Sequence, residues 1–214
     1  MRPSNIRKIN SQKPEVAIIK EAAGVIKQGG VIVFPTRCLY GLGADAMNPG
    51  AVERIIEIKQ RPAENPILVL IHSKKQLEML VEKIPPVADA IMEAFWPGRV
   101  TLVFDARGTL PGLLTAQTGK IGVRLPGHPV AAAMLGQVKG PLTGTSANLS
   151  GRPGCNRLSD IDPQITGQAD LVLDAGTLQG GVGSTVVDVT AEPPRILREG
   201  QVTAGQIWGA LTEI

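Results

Sequence analysis

The 214 residues have the length of one domain, or one domain with a short extension, and 43% apolar side chains plus 25 glycines against 19% charged exclude wholesale disorder. The longest apolar runs, such as Val31–Phe34, fall far short of the roughly 20 residues that span a bilayer. The start, MRPSNIRK, has no apolar stretch behind it, and two cysteines with two histidines make neither a disulfide framework nor a zinc site, so the chain reads as a soluble, cytosolic protein without a structural metal. The net charge of +3 is unevenly spread: residues 95–155 carry six Lys/Arg against Asp105 alone, an invitation to an anion or a set of basic loops facing solvent.

In chain order, helices alternate with short apolar strands. Pro14 to Gln28 reads as a helix with Val16, Ile19, Ala22, Ala23 and Ile26 on one face, ended by Gly29-Gly30. Val31–Phe34 is a buried strand. Asn48-Pro49 starts a helix through Val52, Ile55 and Ile56 that ends near Lys59, because Arg61 precedes Pro62. Ile67–Ile71 reads as a buried strand, and Ser73 as the cap of a helix carrying Leu77 and Leu80. Pro86–Phe95 is helical, Val100–Phe104 and Ile121–Arg124 are strands, and Pro129–Val138 is an alanine-rich helix. Strands follow at Leu171–Leu173, Ser184–Val189 and Arg195–Leu197, then a closing helix capped by Thr203. The pattern predicts an α/β fold with an open, twisted, mixed sheet, and one domain over residues 1–214 with no additional C-terminal domain.

Familiar nucleotide signatures fail. Gly119-Lys120 lacks the glycine that a P-loop needs six residues before the lysine. Gly41-Leu42-Gly43-Ala44-Asp45-Ala46 does not open a helix directly after a strand, as a dinucleotide fingerprint must. His128 reads as a helix-start residue and His72 as a strand-end residue.

What remains is a set of polar clusters at strand ends, where α/β folds place ligands. The first is Pro35-Thr36-Arg37-Cys38-Leu39-Tyr40-Gly41-Leu42-Gly43, a site or a tight turn needing glycine dihedrals. In Lys59-Gln60-Arg61-Pro62-Ala63-Glu64-Asn65-Pro66, the two cations either converge on one point or complement the helix dipole. In Thr145-Ser146-Ala147-Asn148-Leu149-Ser150-Gly151, an extended backbone would point Ser146 and Asn148 to the same side; a cap or turn is the other reading. Gly183-Ser184-Thr185-Val186-Val187-Asp188 and Leu197-Arg198-Glu199-Gly200 close the set.

In order and spacing, PTRCLYGLGAD, KQRPAENP, FWPGRVTLVF, VRLPGHP, TSANLSG, GSTVVD and LREG resemble the YrdC-like family, whose cytosolic enzymes are L-threonylcarbamoyladenylate synthases of the TsaC type, over about residues 14–200. The resemblance implies a large basic concave surface on the open sheet. It implies conversion of L-threonine, bicarbonate (or CO2) and ATP to L-threonylcarbamoyl-AMP and pyrophosphate. The product would be used by tRNA threonylcarbamoyl-transfer proteins to make N6-threonylcarbamoyladenosine. By matched position, Lys59, Arg61, Ser146 and Asn148 would be catalytic, with Lys59 and Arg61 exposed to the cleft and facing the triphosphate. Asn65, Lys120 and Arg198 would join Lys59, Arg61 and Ser146 in holding ATP. Thr36, Cys38, Arg124 and Ser184 would hold threonine, Arg124 gripping its carboxylate. Mg2+ would come with ATP, with no carboxylate cluster to bind it. Many relatives read PTET or PTEA where this chain has Arg37 and Cys38, and some carry a histidine where it has Leu70. The alternative is a non-catalytic structured-RNA binder of the same fold, with tRNA or double-stranded RNA as partner. Only six aromatics are available for stacking on bases. A related module in hydrogenase-maturation carbamoyltransferases is accompanied by zinc-finger-like cysteines that this sequence lacks.

Overall fold

Continuous apolar runs such as Val31–Phe34 belong to strands covered on both faces, and that is how the first of two sheets is built. The computed structural model describes residues 5–212. In chain order they form β1 (Ile6–Lys8), α1 (Val16–Lys27), β2 (Ile32–Pro35), β3 (Tyr40–Gly43), α2 (Pro49–Lys59), β4 (Val69–Leu70), α3 (Pro86–Phe95), β5 (Val100–Asp105) and α4 (Gly112–Thr115). There follow β6 (Lys120–Arg124), α5 (Pro129–Val138), β7 (Leu142–Thr143), β8 (Thr145–Ser146), α6 (Pro163–Gln168), β9 (Leu171–Asp174), β10 (Thr185–Asp188), β11 (Arg195–Arg198) and α7 (Ala204–Thr212).

The first sheet runs β1-β9-β2-β3-β8 and the second β11-β10-β5-β6-β4-β7. Both are mixed: β9 is parallel to β1 and β2, whereas β2 and β3 form an antiparallel hairpin. The α/β class and mixed pairing agree with the sequence pattern, and the strands divide into these two mixed sheets. The chain passes between them at Gly144, whose N–H bonds Leu68 O at 2.7 Å. A Cβ there would fall 2.5 Å from Leu70 Cγ, so the Leu70 side chain of β4 fills the space a larger residue would need at this corner.

Ile32 and Phe34 pack with Ile19, Ile26, Met134 and Leu135 under α1 and α5. Val31 and Val33, on the opposite face, join the main core with Ile55, Val69, Leu102 and Val123. The α1 stripe is buried from Ile19 onward, but Val16 in the first turn is exposed. Residues Lys74–Met79 form a 3-10 helix, and Ser73 makes no side-chain cap; the three-residue spacing of Leu77 and Leu80 suits either helix. At the last helix, Thr203 Oγ1 accepts from Gln206 N while Gln206 Oε1 accepts from Thr203 N, a capping box.

The turn reading of Tyr-Gly-Leu-Gly is overturned by β3. Gly41 and Gly43 pair with Phe34 and Ile32 in the hairpin register, and neither has a positive φ. A Cβ at Gly43 would lie 2.7 Å from the Phe34 ring, so these glycines clear space for an aromatic rather than bend the chain.

Candidate active site

A cavity of about 630 Å3 is lined by residues of both sheets. The second sheet supplies one face by strict alternation. Thr101 and Val103 of β5, Lys120, Gly122 and Arg124 of β6, and Ser184 and Val186 at β10 line the cavity, while Leu102, Phe104, Ile121, Val123 and Val187 enter the core. Arg61, Lys120, Arg124 and Arg198 line it, and no Asp or Glu does.

Their charges are not equally free. Lys120 Nζ pairs with Asp188 Oδ2 at 2.7 Å, and Asp188 Oδ1 accepts from Thr190 N and Oγ1. Burial opposes ionisation of Asp188, but the bonds from Lys120 and Thr190 outweigh it and hold the carboxyl below its usual range. Arg61, Arg124 and Arg198 take part in none of the ion pairs among the described residues. Burial, then the neighbouring Arg198, lowers the Arg124 guanidinium to about 10, and its Nε is buried without a partner. Arg61 donates through Nε to Asn65 O (3.1 Å) and through Nη2 to Pro66 O (2.8 Å), and burial lowers its pKa. Arg198 Nη2 donates to Ser184 O at 2.8 Å. The backbone there is close-packed: a Cβ on Gly200 would meet Gly183 O at 2.4 Å.

A recess of about 50 Å3 adjoins the cavity, sharing Thr36, Leu39, Arg124, Gly183 and Ser184 with it. Arg37, Cys38, Arg99, His128 and Gln201 also line it. Thr36 Oγ1 donates to Leu39 O at 2.6 Å, Ser184 Oγ lies 2.8 Å from Thr101 Oγ1, and the Cys38 thiol receives Gln201 Nε2. His128 holds the extended position before α5, as its place before Pro129 predicts, without a side-chain cap; burial lowers it to about 4, so the ring is neutral at pH 7.

Of the residues singled out in the sequence, Thr36, Arg61, Lys120, Arg124, Ser146, Ser184 and Arg198 meet around the cavity, and Cys38 lines the recess alone. Asn65 is exposed, is not in the lining, and contributes its carbonyl to Arg61. Lys59 is not exposed to the cleft as expected, and Asn148 does not share a side with Ser146. Neither lines the cavity, and their exposures are 1% and 7%.

Two local geometries explain why. Gln60 takes a left-handed φ of 49° and Arg61 N bonds Ile56 O at 2.9 Å, a Schellman-type stop that sends Arg61 outward and leaves Lys59 on the helix's buried face. After Ser146 the backbone turns, with Asn148 N on Ser146 O and Asn148 Nδ2 on Leu149 O and Arg152 O, so the alternation of an extended segment is lost. Thr101, Thr118, Arg99 and Gln201 also line the two spaces without having been given a role from the sequence, and Thr145 of the third polar cluster joins them. For Thr101 the period-2 pattern of the strand was the available signal. Among the described residues no group of three or more His, Cys, Asp or Glu could hold a metal, and no helix is long and apolar enough to cross a membrane.

The family model Sua5_yciO_yrdC, described as "Telomere recombination", matches residues 24–200. A Pyrococcus abyssi protein named threonylcarbamoyl-AMP synthase is 38% identical over 92% of this chain and 58% of its own length. A Vibrio parahaemolyticus protein of the same name is 31% identical over 85% of this chain and 98% of its own. The crystal structure of P. abyssi Sua5 complexed with L-threonine superposes with a TM-score of 0.92 at 36% identity, covering 98% of this chain and 61% of that one. E. coli YciO superposes with a TM-score of 0.87 at 28% identity, covering 96% and 100%. A nucleotide-bound HypF matches at 20% identity with a TM-score of 0.74, a likeness of fold alone. The chain thus spans about three fifths of the length of the P. abyssi protein and the whole of some smaller relatives.

Proposed function

The chain belongs to the Sua5/YciO/YrdC family, and on that premise we propose that it is an L-threonylcarbamoyladenylate synthase, joining L-threonine, CO2 or bicarbonate, and ATP with release of pyrophosphate. One observation supports this most: three arginines that join no ion pair among the described residues, and Lys120 held by Asp188, line a cavity with no Asp or Glu in its lining. Such a site suits a substrate pair whose charge is carried by a triphosphate and a carboxylate. The structured-RNA reading loses support, since Arg61, Arg124 and Arg198 line a cavity.

In the reaction, the threonine nitrogen bonds the carbon of CO2 and gives up a proton, forming a carbamate. A carbamate oxygen then bonds the α-phosphorus as the bond to the β-phosphate oxygen breaks. Arg124 grips the threonine carboxylate through its guanidinium fork, while Thr36, Cys38 and Ser184 surround the side chain in the recess. Arg61, Lys120 and Arg198 stand around the triphosphate, with Ser146 donating a neutral hydrogen bond. Fixed cations gain strength as charge gathers at phosphorus, without a covalent enzyme intermediate. Mg2+ would come with ATP and would supply further neutralisation, the cavity lining offering it no carboxylate. We further propose a cytoplasmic setting in which tRNA threonylcarbamoyl-transfer proteins consume the product.

Incubation with ATP, Mg2+, bicarbonate and L-threonine tests this directly. Pyrophosphate release should require all of them. Release that ignores threonine, or release of inorganic phosphate instead, rejects the synthase reading.

Cys38 gives a second expectation. A thiol is a weaker hydrogen-bond partner than a hydroxyl, so Cys38→Thr should keep activity within about tenfold, or about 1.4 kcal/mol. Saturating L-threonine should slow alkylation of Cys38 but not of Cys155, which hydrogen-bonds Asp160 O away from the recess. Equal rates at Cys38 with and without threonine would place the amino acid elsewhere.

A further inference from the structure

Lys59 occupies the position four residues after Ile55 and seven after Val52, the face of α2 that is buried. Its side chain crosses the interior to the segment between β8 and Arg152. There Nζ lies 2.5 Å from Ser146 O and 2.6 Å from Asn148 O. The two carbonyls flank Ala147, which is itself fully buried, and together they form a cup around the ammonium. Lys59 takes part in none of the ion pairs among the described residues.

The turn depends on this arrangement. Its own side chains leave polar atoms unsatisfied: Asn148 Oδ1 and Ser150 Oγ are buried without partners. From outside, its start is held by the pairing of Ser146 with Gly41 of β3 and by Ala147 N on Tyr40 O (2.9 Å), and the rest by Ser150 N on Lys59 O (2.9 Å) and by the Lys59 ammonium. Charge-assisted bonds to two carbonyls, the one of Asn148 buried, are the strongest of these ties individually. Burial, with Arg61 adding to it, lowers Lys59 to about 8, so the ammonium persists at neutral pH.

Resting on the synthase reading for what Ser146 does, we infer that Lys59 is a positioning residue. It bolts the 146–150 turn to the end of α2 so that Ser146 faces the cavity beside Arg61, and it does not touch the triphosphate. One helix end thereby sets two walls of the site, Arg61 directly and Ser146 through Lys59.

Amide hydrogen exchange and steady-state kinetics of the full chain test this in Lys59→Met and Lys59→Ala. Methionine fills the channel without a donor; alanine opens it. Both should speed exchange at residues 146–150 at least tenfold and lower kcat by tenfold or more, with KM for ATP within about threefold of wild type. Ethylammonium should restore protection and activity in Lys59→Ala but not in Lys59→Met, whose side chain blocks the cup. Unchanged protection at 146–150 in Lys59→Met overturns the inference whatever the activity. Intact protection with KM for ATP raised a hundredfold would make Lys59 a direct phosphate ligand and also overturn it. A wild-type protein without threonine-dependent pyrophosphate release defeats the synthase reading separately, and the exchange data still decide the role of Lys59 in the turn.

Discussion

Arg124→Met should lower kcat/KM for L-threonine by on the order of 10³, while leaving KM for ATP within about threefold. Truncating one partner of a buried, charge-assisted pair typically costs about 2–5 kcal/mol, and a tenfold change is about 1.4 kcal/mol. Arg124 is already desolvated, with Nε buried and unpaired and its pKa drawn down to about 10. At neutral pH it remains charged, so the carboxylate meets a preformed partner whose desolvation needs no further free energy. The same fact predicts the sign of the stability change. Removing a partly buried charge that joins no ion pair among the described residues should leave Tm unchanged or raise it, as at other sites where function and stability conflict. Arg124→Lys should rescue little, because an ammonium cannot reproduce the guanidinium fork. Steady-state pyrophosphate assays and threonine titration calorimetry decide the matter; a KM for threonine within threefold of wild type would remove Arg124 from the amino-acid site.

The second large effect is expected at Arg61. Arg61→Ala should lower kcat by on the order of 10²–10³, the usual loss for one electrostatic donor to developing charge. Tm should change little, since its two acceptors, Asn65 O and Pro66 O, belong to an exposed loop. Thermal melts run beside the kinetics separate this from the plainer reading of a helix-end charge. A destabilised Arg61→Ala with normal kcat would make Arg61 a staple of the 61–66 loop and nothing more.

Much of the framework was legible in the chain. The bounds Pro86–Phe95 and Pro129–Val138 coincide with α3 and α5, because proline at the first helical position is a local signal with a local cause. Asn48 accepts from Ala51 N as the start of α2, again a contact within one turn. The acid-poor stretch 95–155 supplies Lys120 and Arg124 of the cavity and Arg99 of the recess. The glycines of β3 were opaque, because their reason is the ring of Phe34 on the paired strand and nothing in their own segment.

The sequence by itself thus determined the elements, the supply of cations and the order in which they come to strand and helix ends. Only the tertiary structure decided which cations are available. Lys120 is paired by Asp188, 68 residues away, and Lys59 by carbonyls 87 and 89 residues away, while Arg124 meets no carboxylate among the described residues. Periodicity and capping are interactions within a few residues, so they are written in local sequence. The neutralisation of a charge depends on what another segment brings within about 3 Å of it, and that is settled only when the sheets and helices pack.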